Sequence, residues 1–287
     1  MRSVIQHLRF PFSYLLMPVF LLSYVSVFHF TEINNFHVFL LFIILHLLVY
    51  PSSNAYNSVQ DRDESSIGLI KEPLPIHKSL EWVSAIFDLV AVCLATFISI
   101  KTAGFILIYI LVSRLYSYRK IRLKKYPIIG FLVVFIFQGA WIFYTTTTAL
   151  GNRFTTSLEN YHLIALASSC LIGAIYPLSQ IYQHASDQAD GVTTISYILG
   201  KKGTFIFSGI FFLIGSILLF LSIFQNEGYS GLILYLLFQL PSLIYFNYWF
   251  YKVIKDETQA NFKHTMRMSL ISATCMNAFF IYLLFQN

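Results

Sequence analysis

Long apolar runs separated by short polar segments dominate the sequence. A run of about 20 apolar residues without two-residue alternation can cross a bilayer as a helix, which satisfies its backbone hydrogen bonds internally. The pattern predicts nine such spans, at residues 12–30, 36–57, 79–100, 102–118, 127–149, 160–183, 203–225, 229–251 and 268–286. We therefore expect an all-α integral membrane protein, a bundle of nine transmembrane helices that forms a single domain over residues 1–287.

Composition supports a membrane protein and excludes several other classes. The mean hydropathy is +0.67 and only 11% of the residues are charged, well below the share that a soluble domain needs to cover its surface. The formal net charge of +6 comes from basic residues in the connections between runs, so we expect no nucleic-acid partner. Cys93, Cys170 and Cys275 lie far apart in apolar runs and indicate neither a disulfide framework nor a metal site.

The distribution of basic residues predicts an orientation. With nine spans, all of the 19 Lys and Arg residues except Lys101 and Arg153 fall on one side of the membrane. The positive-inside rule makes that side cytoplasmic, so the N-terminus is expected inside and the C-terminus outside, in the cell (inner) membrane. The connections on this side are also the longer ones, and they contain the unusual polar chemistry. We therefore expect a central cavity that opens toward the cytoplasm.

The first polar cluster lies where the second apolar run ends. Asn54, Asn57 and Asp61 follow an i, i+3, i+7 spacing, which places them on one face of a helix that continues past the run. Asp63 and Glu64 come directly after them. In a chain with only 13 acidic residues, such a concentration at the end of a span is typical of a functional site.

The second cluster repeats this spacing at the inner end of the sixth run. Gln180, Gln183 or His184, and Asp187 share the i, i+3, i+7 pattern, and Asp190 follows. Carboxylate and amide oxygens without Cys or His spacing suit Mg²⁺, which takes one or two protein carboxylates and completes its shell with water and phosphate. Two facing clusters would suit a diphosphate bound through Mg²⁺. Helix caps and solvated loops are the alternative interpretation.

The third element is a basic segment between the fourth and fifth runs. It could neutralise phosphate oxygens and a departing diphosphate beside the two acidic clusters. A topology signal and a surface for anionic membrane lipid are the alternative. The segment has six cations in twelve residues: Arg114, Arg119, Lys120, Arg122, Lys124 and Lys125.

These three elements, in this order, resemble the UbiA family of membrane prenyltransferases over essentially the whole chain. The family's first motif is Asn-x-x-x-Asp-x-x-x-Asp followed by a basic residue and prolines. Asn57 and Asp61 match it, and residues 71–75 resemble the continuation, but Ser65 occupies the third position, with Asp63 nearby.

The second family motif is Asp-x-x-x-Asp-x-x-x-Gly-x-x-Thr. Asp187, Gly191 and Thr194 match it, whereas Gln183 occupies the first position, with an additional acid at Asp190. The family also has a Tyr-Ser segment followed by Arg-Leu-Lys, and residues 116–125 resemble it.

The resemblance implies Mg²⁺-dependent transfer of a prenyl group from an isoprenyl diphosphate to a lipophilic or aromatic acceptor, most often a quinone precursor. It assigns catalytic roles to Asp61 and Asp187. It assigns metal ligands to Asp61, Asp63, Asp187 and Asp190, and diphosphate binding to Asn57, Arg122, Lys124 and Tyr116. Aromatic residues of the fifth run, such as Phe137 and Trp141, are candidates to stabilise an allylic cation.

Two other functions are compatible with the same sequence features. The first is a terpene cyclase of the same type, which ionises the diphosphate but needs no external acceptor. The second is a transporter or a non-catalytic lipid-binding bundle, although no pair of interrupted helices or inverted repeat favours it. Asp88 could act as a base toward an acceptor, but we expect it to pair with a cation or a hydroxyl in the bundle. His46 is expected to be a hydrogen-bonded core residue and not a ligand.

Overall fold

The computed structural model describes residues 1–28, 33–62, 65–151, 158–224 and 229–286. Within these ranges the chain is helical and has no strand, apart from an isolated bridge between Ile67 and Ile70. The helices are α1 (Arg2–Leu8), α2 (Ser13–Phe28), α3 (Asn35–Asp61), α4 (Leu80–Thr96), α5 (Ile100–Ser117), α6 (Pro127–Leu150), α7 (Leu158–Gln180), α8 (His184–Ala189), α9 (Ile195–Leu219), α10 (Tyr229–Lys255) and α11 (Phe262–Phe285).

Eight helical stretches in the described part of the chain are long and apolar enough to cross a membrane. They establish a multi-pass membrane protein. The first stretch joins α1 and α2, although Arg9 between them adopts the left-handed conformation at φ 47°. The predicted third span corresponds to α4, which has 17 residues and includes Glu81 and Asp88. Helix α4 is not one of the eight stretches.

The predicted span starts at residues 203 and 268 compare differently with the structure. Helix α9 begins at Ile195 but is interrupted at Gly200 (φ 65°, ψ 173°), so its continuous part agrees with the predicted start near 203. Helix α11 begins at Phe262, six residues before the predicted start. The hydroxyl of Thr194 accepts a hydrogen bond from the Tyr197 N–H, and the Asn261 amide oxygen accepts one from His264 N–H, so both helices have proper N-caps. Polar segments beside an apolar run can form helical turns of their own, and the apolar run does not show them.

Helix α6 widens into a π-helical segment at Phe135–Ala140, where it crosses α7. The Ala140 N–H donates to Ser169 Oγ at 2.9 Å, so a side chain of α7 satisfies a backbone group of α6. Gly139 lies so close that a Cβ built on it would be 2.4 Å from the Ser169 Cα. This crossing forms one wall of the bundle, and only glycine fits it.

We expect Gly139→Val to destabilise the bundle severely, since the added atoms overlap the backbone of α7 and not a movable side chain. The measurement is thermal unfolding in detergent. Gly104 is the matched control because a Cβ there meets nothing within 4 Å. A Gly139→Val protein as stable as Gly104→Val would contradict the observed α6–α7 contact.

The expected structural roles of His46 and Asp88 are confirmed. His46 is 1% exposed, and its Nδ1 is 3.1 Å from the Ser13 carbonyl oxygen. Asp88 of α4 forms an ion pair with Arg114 of α5, and Ser52 of α3 donates to Asp88 Oδ1 at 2.6 Å. The pair therefore joins three helices. Arg114 also lies over the Tyr56 ring, 4.1 Å from its centroid, so both contacts hold it between α3 and α4.

Candidate active site

A cavity of about 660 Å³ lies inside the bundle, and its two ends differ in chemistry. One end is formed where α3, α5 and α7 finish and where the connections 118–126 and 181–194 begin. Polar and charged side chains line it. The other end extends between the helices and is mainly apolar, with Leu22, Phe137, Phe212, Leu236 and Met276 among its walls. The shape suits a molecule with a charged head and a hydrocarbon tail.

Asp61 is the last residue of α3 and lies at the centre of the polar end. It is 8% exposed. Arg122 Nη2 donates to its Oδ1 at 3.0 Å, and Lys124 Nζ forms an ion pair with Oδ2. Asn57, one turn earlier, accepts hydrogen bonds from Ser117 Oγ at 2.8 Å and from Lys124 Nζ at 3.3 Å. The basic segment therefore contacts the first acidic cluster directly.

Arg122 also joins the first acidic cluster to the second. Its Nη2 forms an ion pair with the Asp190 carboxylate, and its Nη1 donates to the Asp190 carbonyl oxygen at 3.0 Å. Arg119 approaches the same carboxylate at 3.6 Å. The Arg122 hydrogen bond holds the pKa of Asp190 below its ordinary value. Burial opposes the charge on Arg122, but its contacts with Asp190 and Asp61 prevail and raise the Arg122 pKa.

Asp187 lies half-buried on α8 and lines the same cavity. Its carbonyl accepts from the Val192 N–H at 2.8 Å, which closes a turn that needs Gly191 at φ 69°. Gln183 occupies the first position of the second family motif, where the family has an acid. It also lines the cavity, and its Nε2 donates to the Ser66 carbonyl oxygen at 3.3 Å. Gln183 therefore links the two motif connections.

Tyr116, the remaining predicted diphosphate ligand, lines the cavity and shares a 2.6 Å hydrogen bond with the Tyr176 hydroxyl. The sequence interpretation did not single out Tyr176. It also assigned no role to Arg9, which lines the polar end and donates from Nη2 to the Asn54 carbonyl oxygen at 3.0 Å. A cation directly before the first span was the available signal for Arg9, whereas only the packing of α5 on α7 identifies Tyr176.

The other predicted residues have different outcomes. Asp63 and Glu64 lie outside the described residues. Ser65 is exposed, and Lys125 packs over the Tyr126 ring at 4.9 Å. Phe137, one of the two aromatic residues suggested to stabilise an allylic cation, lines the cavity. Trp141, the other, is not among the lining residues, and its indole N–H donates to the Phe105 carbonyl oxygen at 3.0 Å.

Comparison with known proteins identifies the family. The profile of the UbiA prenyltransferase family matches residues 15–271. The chain belongs to this family. The resemblance inferred from the motifs is thus confirmed over nearly the whole length of this UbiA protein. No curated protein gives a significant match.

Solved structures confirm the UbiA fold. A UbiA homologue from Archaeoglobus fulgidus bound to DMAPP and Mg²⁺ has a TM-score of 0.68 at 17% identity, over 98% of this chain and 99% of that chain. A digeranylgeranylglyceryl phosphate synthase has a TM-score of 0.62 at 20% identity, over 99% and 96% of the two chains. An apo homologue from Aeropyrum pernix K1 has a TM-score of 0.69 at 12% identity, over 96% and 98%.

The donors at the polar end fit the hard cation that such a family implies. No group of three or more His, Cys, Asp or Glu side chains is close enough to hold a metal within the described ranges. Mg²⁺, however, needs only one or two protein carboxylates when phosphate and water supply the rest. Asp61, Asp187 and Asn57 offer oxygens to one cavity, and the buried Gln180 Oε1, which lines it, has no hydrogen-bond partner in the described structure.

Proposed function

We propose that this UbiA protein catalyses Mg²⁺-dependent transfer of a prenyl group from an isoprenyl diphosphate to a lipophilic acceptor, of which an aromatic quinone precursor is the first candidate. The observation that supports this most is the arrangement of Asp61, Arg122 and Asp190. Two carboxylates, one at the end of α3 and one directly after α8, contact one buried guanidinium at the mouth of a cavity whose interior is apolar. A diphosphate head and a prenyl tail match these two environments.

The ion pairs at the polar end of the cavity suggest a role in binding for each charged residue. A diphosphate would offer phosphate oxygens to Arg122 and Lys124 in place of the Asp61 carboxylate, since a guanidinium and an ammonium bind phosphate as well as carboxylate. Asp61 and Asp187 would then hold Mg²⁺, aided by Asp190 and Asn57. The ion, when bound, neutralises charge that develops on the leaving diphosphate. The Tyr116–Tyr176 hydroxyl pair would position the head group from the α5 side.

The proposal also covers the number of membrane spans, the orientation of the cavity and the role of Asp63. We propose that α4 also crosses the membrane, so that the single domain over residues 1–287 has nine spans. The polar end of the cavity then faces the cytoplasm, on the side that collects the basic residues, with the protein in the cell membrane. Asp63, next to the described end of α3, is proposed as a further metal ligand that replaces the acid missing at Ser65.

The test is diphosphate release by the purified protein in lipid nanodiscs with geranyl diphosphate and an aromatic acceptor. We expect release with Mg²⁺ and none after EDTA treatment, with activity restored by added Mg²⁺. Release that requires the acceptor indicates transfer, whereas equal release without it, with a cyclised product, indicates a cyclase. The proposal fails if a panel of donor chain lengths and acceptors gives no release at all.

A further inference from the structure

A cluster of cations lies at the junction of α10 and α11, outside the cavity. Lys252 is in the last turn of α10, and Lys263 and Arg267 are in the first two turns of α11. Lys263 and Arg267 are exposed, and Lys252 is half-buried. In the described structure none of the three lines the cavity, so this cationic cluster is separate from the polar end that the proposed reaction uses.

A hydrogen bond between the two helices lies at the centre of the cationic cluster. It joins the Tyr245 hydroxyl of α10 to Nδ1 of His264 on α11, at 2.7 Å. The positive charges of Lys252 and Arg267 act on both of these side chains. The charge of Lys263 acts on His264 as well. The three cations therefore lie close together, around one place on the surface of the α10–α11 pair.

No carboxylate neutralises the cationic cluster in the described part of the chain, where none of its three members forms an ion pair. Asp256, in the connection between the two helices, instead accepts hydrogen bonds from the Thr258 hydroxyl at 2.8 Å and from the Gln259 amide at 3.1 Å. Lys263 and Arg267 are four residues apart on one helix, a spacing at which like charges destabilise the helix. The cations therefore repel one another, and an anion that binds them compensates that repulsion.

Tyrosines around the cationic cluster indicate that it lies at the level of lipid headgroups. Tyr248 and Tyr251 are exposed in the last two turns of α10, and tyrosine is enriched at the boundary between hydrocarbon and water. Lys252 Nζ is 4.9 Å from the centroid of the Tyr248 ring. Lys255 Nζ lies in the same way over the Tyr251 ring, at 4.8 Å. The cations thus extend from an aromatic band at the end of a span.

The surface on the hydrocarbon side of the cluster is apolar. Leu270 follows Arg267 by one turn of α11 and is exposed. Ile244 precedes Tyr248 by one turn of α10 and is exposed too. A molecule that fits both regions has an anionic head and hydrocarbon chains, and an anionic membrane phospholipid has both. A zwitterionic lipid fits less well because its headgroup adds a further cation.

We propose that the cationic cluster binds the phosphate of an anionic phospholipid, whose acyl chains lie along the exposed apolar residues of α10 and α11. Lys252, Lys263 and Arg267 donate charge-assisted hydrogen bonds to the phosphate oxygens. The lipid is a bound partner and not a substrate of the proposed reaction. The inference therefore does not rest on prenyl transfer.

The experiment measures the ratio of bound phosphatidylglycerol to bound phosphatidylcholine by native mass spectrometry of the purified protein, offered equal amounts of the two lipids in detergent micelles. We expect the unmodified protein to prefer phosphatidylglycerol by about tenfold or more. In Lys252→Gln/Arg267→Gln this preference should fall by about tenfold or more, since each basic side chain at a membrane surface contributes about fivefold to the binding of an anionic lipid. Arg267→Gln alone should lower it about fivefold, which keeps the test decisive if the double variant does not fold.

The matched control is Lys71→Gln/Lys78→Gln, which removes the same number of charges from exposed positions in the connection between α3 and α4. Its preference for phosphatidylglycerol should equal that of the unmodified protein, because these lysines are not part of the cluster. An equal loss of preference in this control would mean that the total charge attracts the lipid, and it would overturn the proposal.

Two other results would also overturn the proposal. A preference that persists in Lys252→Gln/Arg267→Gln would place the lipid elsewhere. Displacement of phosphatidylglycerol by an equal concentration of soluble glycerophosphoglycerol, which has the same headgroup without acyl chains, would assign the cluster to a free phosphate ester. Because lipid binding is measured without donor, acceptor or Mg²⁺, a failure of the proposed transferase function would leave this inference intact.

Discussion

Replacing Asp61 by Asn should reduce Mg²⁺-dependent diphosphate release by roughly a hundredfold or more, the usual effect of removing one preorganised electrostatic group from a reacting centre. The substitution keeps the size of the side chain but removes the charge that pairs with Arg122 and Lys124. It also removes a carboxylate from the proposed Mg²⁺ site. The measurement is the steady-state rate of diphosphate release with saturating donor.

Asp256→Asn is the matched control for this experiment. Asp256 lies outside the cavity, between α10 and α11, where its carboxylate accepts from the Thr258 N–H, and an Asn side chain can accept the same hydrogen bond. We expect its rate to equal that of the unmodified protein. Asp61→Asn with an unchanged rate would remove Asp61 from the site. Asp187→Asn should resemble Asp61→Asn.

Replacing Arg114 by Leu should destabilise the bundle by about 3–5 kcal/mol, since it leaves Asp88 buried without its cation. Both side chains of the pair are less than one-fifth exposed. Replacing both residues by Leu should restore most of the lost stability, because no uncompensated charge remains and the apolar side chains can pack between α4 and α5. Unfolding in a detergent titration measures the three variants.

Lys71→Ala provides the control for that series. Lys71 and Glu72 also lie within 4 Å of each other, but their side chains are 80% and 88% exposed, and an exposed pair contributes little. Its unfolding should match that of the unmodified protein. If the double variant of Asp88 and Arg114 were less stable than the single Arg114→Leu variant, the pair would have a role beyond neutralising a buried charge.

The sequence was informative where spacing along one helix decides the outcome. The i, i+3, i+7 pattern places Asn57 and Asp61 together, and the two polar clusters do meet, with Arg122 between them. The same pattern could not indicate that Gln183 would contact the connection after α3, because that hydrogen bond to Ser66 depends on how two distant connections pack.

Other features required the tertiary structure. An apolar run marks the hydrocarbon part of a helix, so it missed the capped polar turns at the starts of α9 and α11. It also treated Gln239 as one residue of an apolar span. Only the packing of α9, α10 and α11 around the cavity reveals that its amide is buried and unsatisfied.

The most direct test of the central claim is an experimental structure with geranyl thiolodiphosphate and Mn²⁺, a metal whose anomalous signal can be located. We predict the diphosphate at the polar end of the cavity, in contact with Arg122 and Lys124, and the metal against Asp61 and Asp187. The prenyl tail should extend toward Phe137. A diphosphate bound elsewhere, or a metal that contacts neither carboxylate, would contradict the account.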